Sequence, residues 1–147
     1  MPAKDTENPV GVLSREECWG LLADEKFGRL AYRLVDEVHL VPINYVVDGS
    51  TLLFRTASGN KLLAAALQSD VAFEIDWYDD HSAWSVVVRG RLRQLDEDEM
   101  HRAEGLPLHS WVPTLKYDII ELVPEAVTGR TFRLQRVEPD SEVRPLS

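Results

Sequence analysis

The sequence predicts a mainly β (α+β) fold: a six-stranded antiparallel barrel with a few short flanking helices. Three observations lead there. Short apolar runs recur along the chain with turn residues between them. Long helices alternating with strands, the pattern of a parallel α/β sheet, are missing. So many apolar strands would also expose sticky edges, and closure into a barrel removes them.

The elements follow in order. Met1–Gly11 is polar, holds Pro2 and Pro9, and reads as a flexible leader. Ser14 and Glu17 have the spacing of a capping box, and Cys18, Leu21 and Leu22 recur at helical intervals, so a short helix ends before Gly28. Cys18 falls on its apolar face and is expected to be a packed small residue rather than a nucleophile. Strands are expected over Arg29–Leu34 and Val38–Val47, with Pro42 interrupting the second. A proline cannot donate to a ladder, so it marks an edge, a bulge, or a place where a ligand replaces a strand partner. Asp48-Gly49 turns the chain into Thr51–Arg55, and Leu62–Leu67 is a helix. Val71–Trp77 alternates as a half-buried strand should, and Trp84–Arg93 is the most strand-like stretch. Asp96 with Glu99 caps a short helix over Glu97–Glu104; Tyr117–Val123 and Val127–Leu134 read as two last strands joined by Pro124-Glu125. The charged segment from Glu138 is expected to be mobile. This gives one domain, residues 12–137, between a leader (1–11) and a tail (138–147).

Composition narrows function. The 147 residues are 44% hydrophobic and 28% charged, ordinary for a globular domain, with a net charge of −9 that argues against a general nucleic-acid partner. No apolar run approaches the roughly 20 residues that cross a bilayer. A single cysteine excludes an internal disulfide and suggests a cytoplasmic protein. His39, His81, His101 and His109 lack partners at metal-ligand spacing, so no metal site is expected.

The stretch Leu52–Leu67 carries the strongest chemistry. A strand ends in Arg55 and Thr56, a turn holds Gly59, and a helix begins near Lys61. A guanidinium, a hydroxyl and an ammonium thus gather where free N–H groups and the helix dipole favour an anion, with phosphate the natural guest. The same spacing also suits a plain junction whose polar residues face water. Arg89, Arg91 and Arg93 share one strand face, either as a basic stripe for a phosphorylated ligand or as solvated partners of neighbouring carboxylates. Glu74 and Asp76 share a face and are expected to meet solvent or an arginine. Tyr45, Trp77, Trp84 and Trp111 suit core packing, although a planar ring ligand would be served by them too.

The runs Val41–Tyr45, Asp48-Gly49, Phe54-Arg55-Thr56, Gly59-Asn60-Lys61, Val71–Asp76 and Ser85–Arg91 together resemble the pyridoxamine 5′-phosphate oxidase-like flavoproteins over roughly Ser14 to Arg133. The resemblance implies a split β-barrel that binds FMN as a homodimer, with the cofactor at the subunit interface. Arg55 and Thr56 match the strand end at the FMN phosphate and ribityl chain, and Lys61 the phosphate-binding lysine. Pro42, Ile43 and Asn44 match the strand beside the isoalloxazine ring, while Trp84 and Ser85 match the strand by which the second subunit reaches the cofactor. Asn60 stands where true vitamin B6 oxidases carry a second basic residue, and the C-terminal Arg–His substrate grip has no counterpart. The resemblance therefore implies a small FMN-dependent oxidoreductase acting on an organic substrate, rather than a vitamin B6 oxidase, with no catalytic residue identified. Alternatives are a flavin carrier or sensor without turnover, or a reductase using the deazaflavin F420, whose anionic tail would call on Arg29, Arg33, Arg89 or Arg130.

Overall fold

The computed structural model describes residues 9–60, 64, 66–67, 69–104, 106 and 117–134. The chain runs β1 (Val10–Val12), α1 (Arg15–Asp24), β2 (Phe27–Leu34), β3 (Glu37–Asn44), β4 (Val46–Asp48), β5 (Thr51–Ala57), β6 (Asp70–Tyr78), β7 (Ser82–Gln94), a 3₁₀ helix (Glu97–Ala103) and β8 (Tyr117–Arg133). All strands join one antiparallel sheet in the order β3-β2-β6-β7-β8-β5-β4, with β1 added to β8.

The two edges of that order, β3 and β4, are consecutive in the chain and separated by Tyr45 alone. Two edges joined through one residue must lie side by side, so the sheet curls on itself into a split barrel. The expected strand Val38–Val47 is thus two strands: its first part pairs with β2 and its second with β5. Tyr45 makes the switch. It is buried, its N–H donates to Lys26 O (3.0 Å), its hydroxyl donates to Leu22 O (2.6 Å), and its ring meets Phe73 edge-on at 4.9 Å. Eight strands thus stand against the six expected of the barrel: of the seven stretches read as strands, this division adds one, β1 adds one, and the last two merge; β1 lies partly in the expected leader, where Val10 and Gly11 pair with Phe132 and Thr131.

The last two expected strands are one. β8 runs unbroken through Pro124, pairing β7 over Ile120–Arg133, β5 over Tyr117–Leu122 and β1 over Arg130–Phe132. Proline is tolerated because the partner on its open edge has already ended and because β7 and β8 slip register between Arg89 and Gly90, leaving Glu125 as the extra residue. Gly90 permits this approach, since a Cβ there would stand 2.1 Å from Val123 O.

The inner face holds the main core, including Leu30, Phe54, Phe73, Ile75, Trp84, Val86, Val88, Leu92 and Ile120. Helix α1 starts as its spacing predicts: Ser14 Oγ accepts from Glu17 N–H (3.0 Å), and Glu17 Oε1 accepts from Ser14 N–H (2.8 Å). It buries Cys18 and Leu22, and burial pushes the Cys18 thiol above its ordinary pKa, against a nucleophilic role. A second small cluster, Val46, Leu53, Leu95, Ala103 and Ile119, lies on the opposite face under the 3₁₀ helix. Ion pairs fasten that helix. Arg93 reaches Glu121 (2.7 Å) and Glu99, and Arg102 reaches Glu121, Asp48 (2.9 Å) and Glu99 (3.4 Å).

Candidate functional site

β4 pairs with β5 so that Val46 faces Leu53 and Asp48 faces Thr51. Continued past Tyr45, that register would set Asn44 opposite Arg55 and Ile43 opposite Thr56. Instead the chain leaves β5 and pairs with β2, Ile43 facing Gly28 and Pro42 facing Arg29. The strands therefore diverge like the arms of a V. Pro42, Ile43 and Asn44 form one arm and Arg55 and Thr56 the other, and the facing edges are unpaired among the described residues. Two groups that the sequence places about ten residues apart are brought to the two lips of one split. Free backbone N–H and C=O groups along such lips need a partner, and a flat polar ring can supply one.

Past the end of the β5 arm, where the V is open, the turn after β5 forms the foot of the split, a hollow of about 170 Å³ lined by Thr56, Gly59, Asn60, Ala64, Gln94 and Asp118, among others. Gly59 takes φ +82°, a left-handed conformation that glycine adopts freely. Asn60 caps the following helical turn, its carbonyl accepting from Ala64 N–H (2.9 Å), while its side-chain amide donates to Thr56 Oγ1 (3.1 Å). The end of β5 and the turn that follows it are thus tied together. Lys61, the expected phosphate ligand, lies outside the described residues, as do most of the helix Leu62–Leu67, the leader's first eight residues, His109, Trp111 and the tail.

Alternation along β5 separates Arg55 from Thr56. Thr56 lines the hollow; Arg55 projects from the other face and sets its guanidinium 4.9 Å from the centre of the Tyr117 ring. Trp84 and Ser85 lie three strands away from β3, outside the split. Trp84 is only 4% exposed and packs in this chain's own core. Ser85 points outward, opposite Asp76 and Arg130. Trp77 is partly exposed, and Tyr45 is core.

The charged groups sort themselves. Arg29 bridges Glu74 (2.9 Å) and Asp76 (2.6 Å), as the paired carboxylates led one to expect. Burial raises the Glu74 carboxyl, whereas its hydrogen bond with Glu74 holds Asp76 below the usual range. Arg91 meets Asp70 (3.4 Å) and Glu125 (3.5 Å). Asp96, Asp98 and Glu99 bring carboxylate oxygens within 4.8 Å of one another, but Glu99 is engaged by Arg93 and by Asp96 N–H (3.2 Å), so the group is the start of a capped helix.

Sequence reasoning missed Asp118, Gln94 and the buried pairing of Glu121 with Arg93 and Arg102. Glu121 had a visible signal, an acid inside the apolar run Ile119-Ile120-Glu121-Leu122. Asp118 had none, because only the register that sets it opposite Thr56 brings it to the hollow.

Known proteins agree with this architecture. An uncharacterised protein of Mycobacterium tuberculosis (strain H37Rv) is 42% identical over 99 residues, 65% of this chain and 86% of that protein. The crystal structure of a Corynebacterium glutamicum protein, itself provisionally assigned as a pyridoxamine 5′-phosphate oxidase, is 40% identical with a TM-score of 0.81, over 92% of this chain and all of that one. An FAD-binding protein from Mycobacterium smegmatis is also 40% identical, TM-score 0.77, over 85% of this chain and all of its own. Residues 14–131 match the profile of the pyridoxamine 5′-phosphate oxidase family, which covers the split, its foot and most of the sheet, and the chain belongs to that family.

Proposed function

We propose that the chain binds a flavin in the split between β3 and β5 and serves as an oxidoreductase for a small organic substrate, as a cytoplasmic homodimer. The observation that supports this is the divergence at Tyr45. It leaves the edges at Pro42–Asn44 and Arg55–Thr56 facing each other, above a hollow tied by Asn60 and Thr56. Pro42, Ile43 and Asn44 would border the ring through their backbone groups. Thr56 and Lys61 would hold the phosphate. When bound, the flavin supplies hydride chemistry; the protein orients it and limits water access. The exposed Val38 and Leu40 on β3 suit a face covered by a second copy.

FMN is the cofactor the sequence resemblance implies. FAD is a second reading, favoured by the likeness to the M. smegmatis protein. F420 has less support, since Arg29 is already held by Glu74 and Asp76. The test is the absorption spectrum of the purified protein, with chromatography of whatever heat releases. Flavin bands with FMN or FAD in the supernatant support the reading, and a colourless protein that takes up neither overturns it. Reduction of the bound flavin by NADPH or NADH and reoxidation by an organic acceptor separate an enzyme from a carrier. Light scattering should give twice the chain mass. Pyridoxine 5′-phosphate oxidation slower than about 0.1 per second, below the common range of about 1–1000 per second, is expected.

A further inference from the structure

On the outward face of β7 and β8, away from the split, lies a hollow of about 350 Å³. Val87 forms part of its lining, with Ser85 and Thr128 beside it and Phe132 at one end; Arg89 and Arg130 complete the polar rim. Register fixes their order, since Ser85 faces Arg130 and Val87 faces Thr128. Arg89 follows Ser85 by four residues on the same face, about 13 Å along a strand rising about 3.3 Å per residue.

The chain carries 25 acidic against 16 Lys and Arg side chains, so an exposed sheet arginine has carboxylates to choose from. Arg29, Arg91, Arg93 and Arg102 each take at least two. Arg89 and Arg130 take none among the described residues, and no acid lines their hollow. Glu125, the bulged acid of β8, is turned to Arg91 instead.

We propose that this hollow binds a small organic dianion, a molecule carrying phosphate or carboxylate groups at both ends. Each guanidinium offers a planar fork for one anionic end. The Ser85 and Thr128 hydroxyls add neutral donors between them, and Val87 and Phe132 give the carbon skeleton an apolar bed. Arginines based so far apart along the strands favour an elongated ligand over a single inorganic ion. The anion site stands on strand geometry alone.

Citrate and inorganic phosphate are the probes, titrated into the full-length protein while amide and arginine Nε–H signals are followed by NMR. Citrate should shift Ser85, Val87, Thr128, Arg89 and Arg130 saturably and bind more tightly than phosphate. Arg89→Gln and Arg130→Gln should each weaken citrate several-fold, and the pair at least about tenfold, in line with charge-assisted hydrogen bonds. Lys61→Ala should leave citrate binding unchanged. Shifts that never saturate, or an unchanged affinity in the double variant with a native spectrum, overturn the proposal. Flavin content of the same variants keeps the two sites apart: citrate binding without flavin refutes only the flavin reading, and flavin without citrate binding refutes only this one.

Discussion

Strand β7 puts arginines of one face into opposite circumstances. Towards its C-terminus Arg93 lies under the 3₁₀ helix, where Glu121, 3% exposed, is shared with Arg102. Four residues earlier Arg89 is exposed and pairs with no carboxylate among the described residues. The slip of register at Gly90 lies between them. Arg93 finds its carboxylates where chain folds over the sheet, whereas the exposed Arg91 between them takes Asp70 and Glu125 from the neighbouring strands β6 and β8. A basic residue on an acidic protein is informative only when its partners are known: the paired end is structure, and the open end is free to act.

The largest effect belongs to the covered end. Glu121→Ala takes one carboxylate from each of two guanidinium groups, which keep Glu99 and Asp48, and should cost about 1.5–3 kcal/mol in urea unfolding, the range for hydrogen bonds to a charged group. A loss under about 1 kcal/mol would make the clasp ornamental. Gly90→Ala drives a Cβ against the Val123 carbonyl and should destabilise by about 1–3 kcal/mol, since backbone cannot step aside as a side chain can. Retention of wild-type stability would mean that β8 can shift at the bulge.

Acid should loosen the same end. The Arg93 hydrogen bond holds Glu99 down to about 2. Burial pushes Glu121 up, but hydrogen bonds from Arg102, Thr51 and Arg93 outweigh it and leave it lowered. A carboxyl depressed in the folded state adds stability that is complete above its unfolded value, about 4.3 for glutamate, and lost as pH falls toward the folded one. Melting temperature should therefore fall between about pH 4.5 and 2, and Glu99→Gln should flatten that fall. A variant with the wild-type slope would place the acid sensitivity elsewhere. The smallest effect is at the open end: Arg89→Ala and Arg130→Ala should change stability by less than about 0.5 kcal/mol, as exposed substitutions do. A larger loss would reveal a partner and blunt the contrast.

The sequence showed much of this because local signals sufficed. Ser14 and Glu17 cap α1, Gly49 turns β4 into β5, and alternation marks β6 and β7. It divided β8 wrongly at Pro124, because tolerance of that proline depends on the missing neighbour and the bulge, both non-local. It joined β3 to β4 because the divergence at Tyr45 is a matter of partners: hydrophobicity is continuous across it. Of the candidate site, Pro42–Asn44 and Thr56 lie on facing lips of the split, while their place beside a flavin is what the resemblance alone implies. The exchange of faces between Arg55 and Thr56, the burial of Trp84 and the arrival of Asp118 could not be read without register.

The most direct test is a flavin titration that compares the two basic regions. FMN affinity, or that of FAD if FAD is the flavin recovered, is measured for the wild type, for Lys61→Ala and for the Arg89→Ala/Arg130→Ala double variant, with riboflavin as the phosphate-free control. If the phosphate lies at the turn after β5, Lys61→Ala weakens binding by about 1.5–3 kcal/mol, the range for hydrogen bonds to a charged group. Riboflavin then binds wild type and Lys61→Ala alike, and the double variant keeps the wild-type affinity for the flavin. An unchanged affinity in Lys61→Ala would contradict the assignment of the split and its foot as the flavin site.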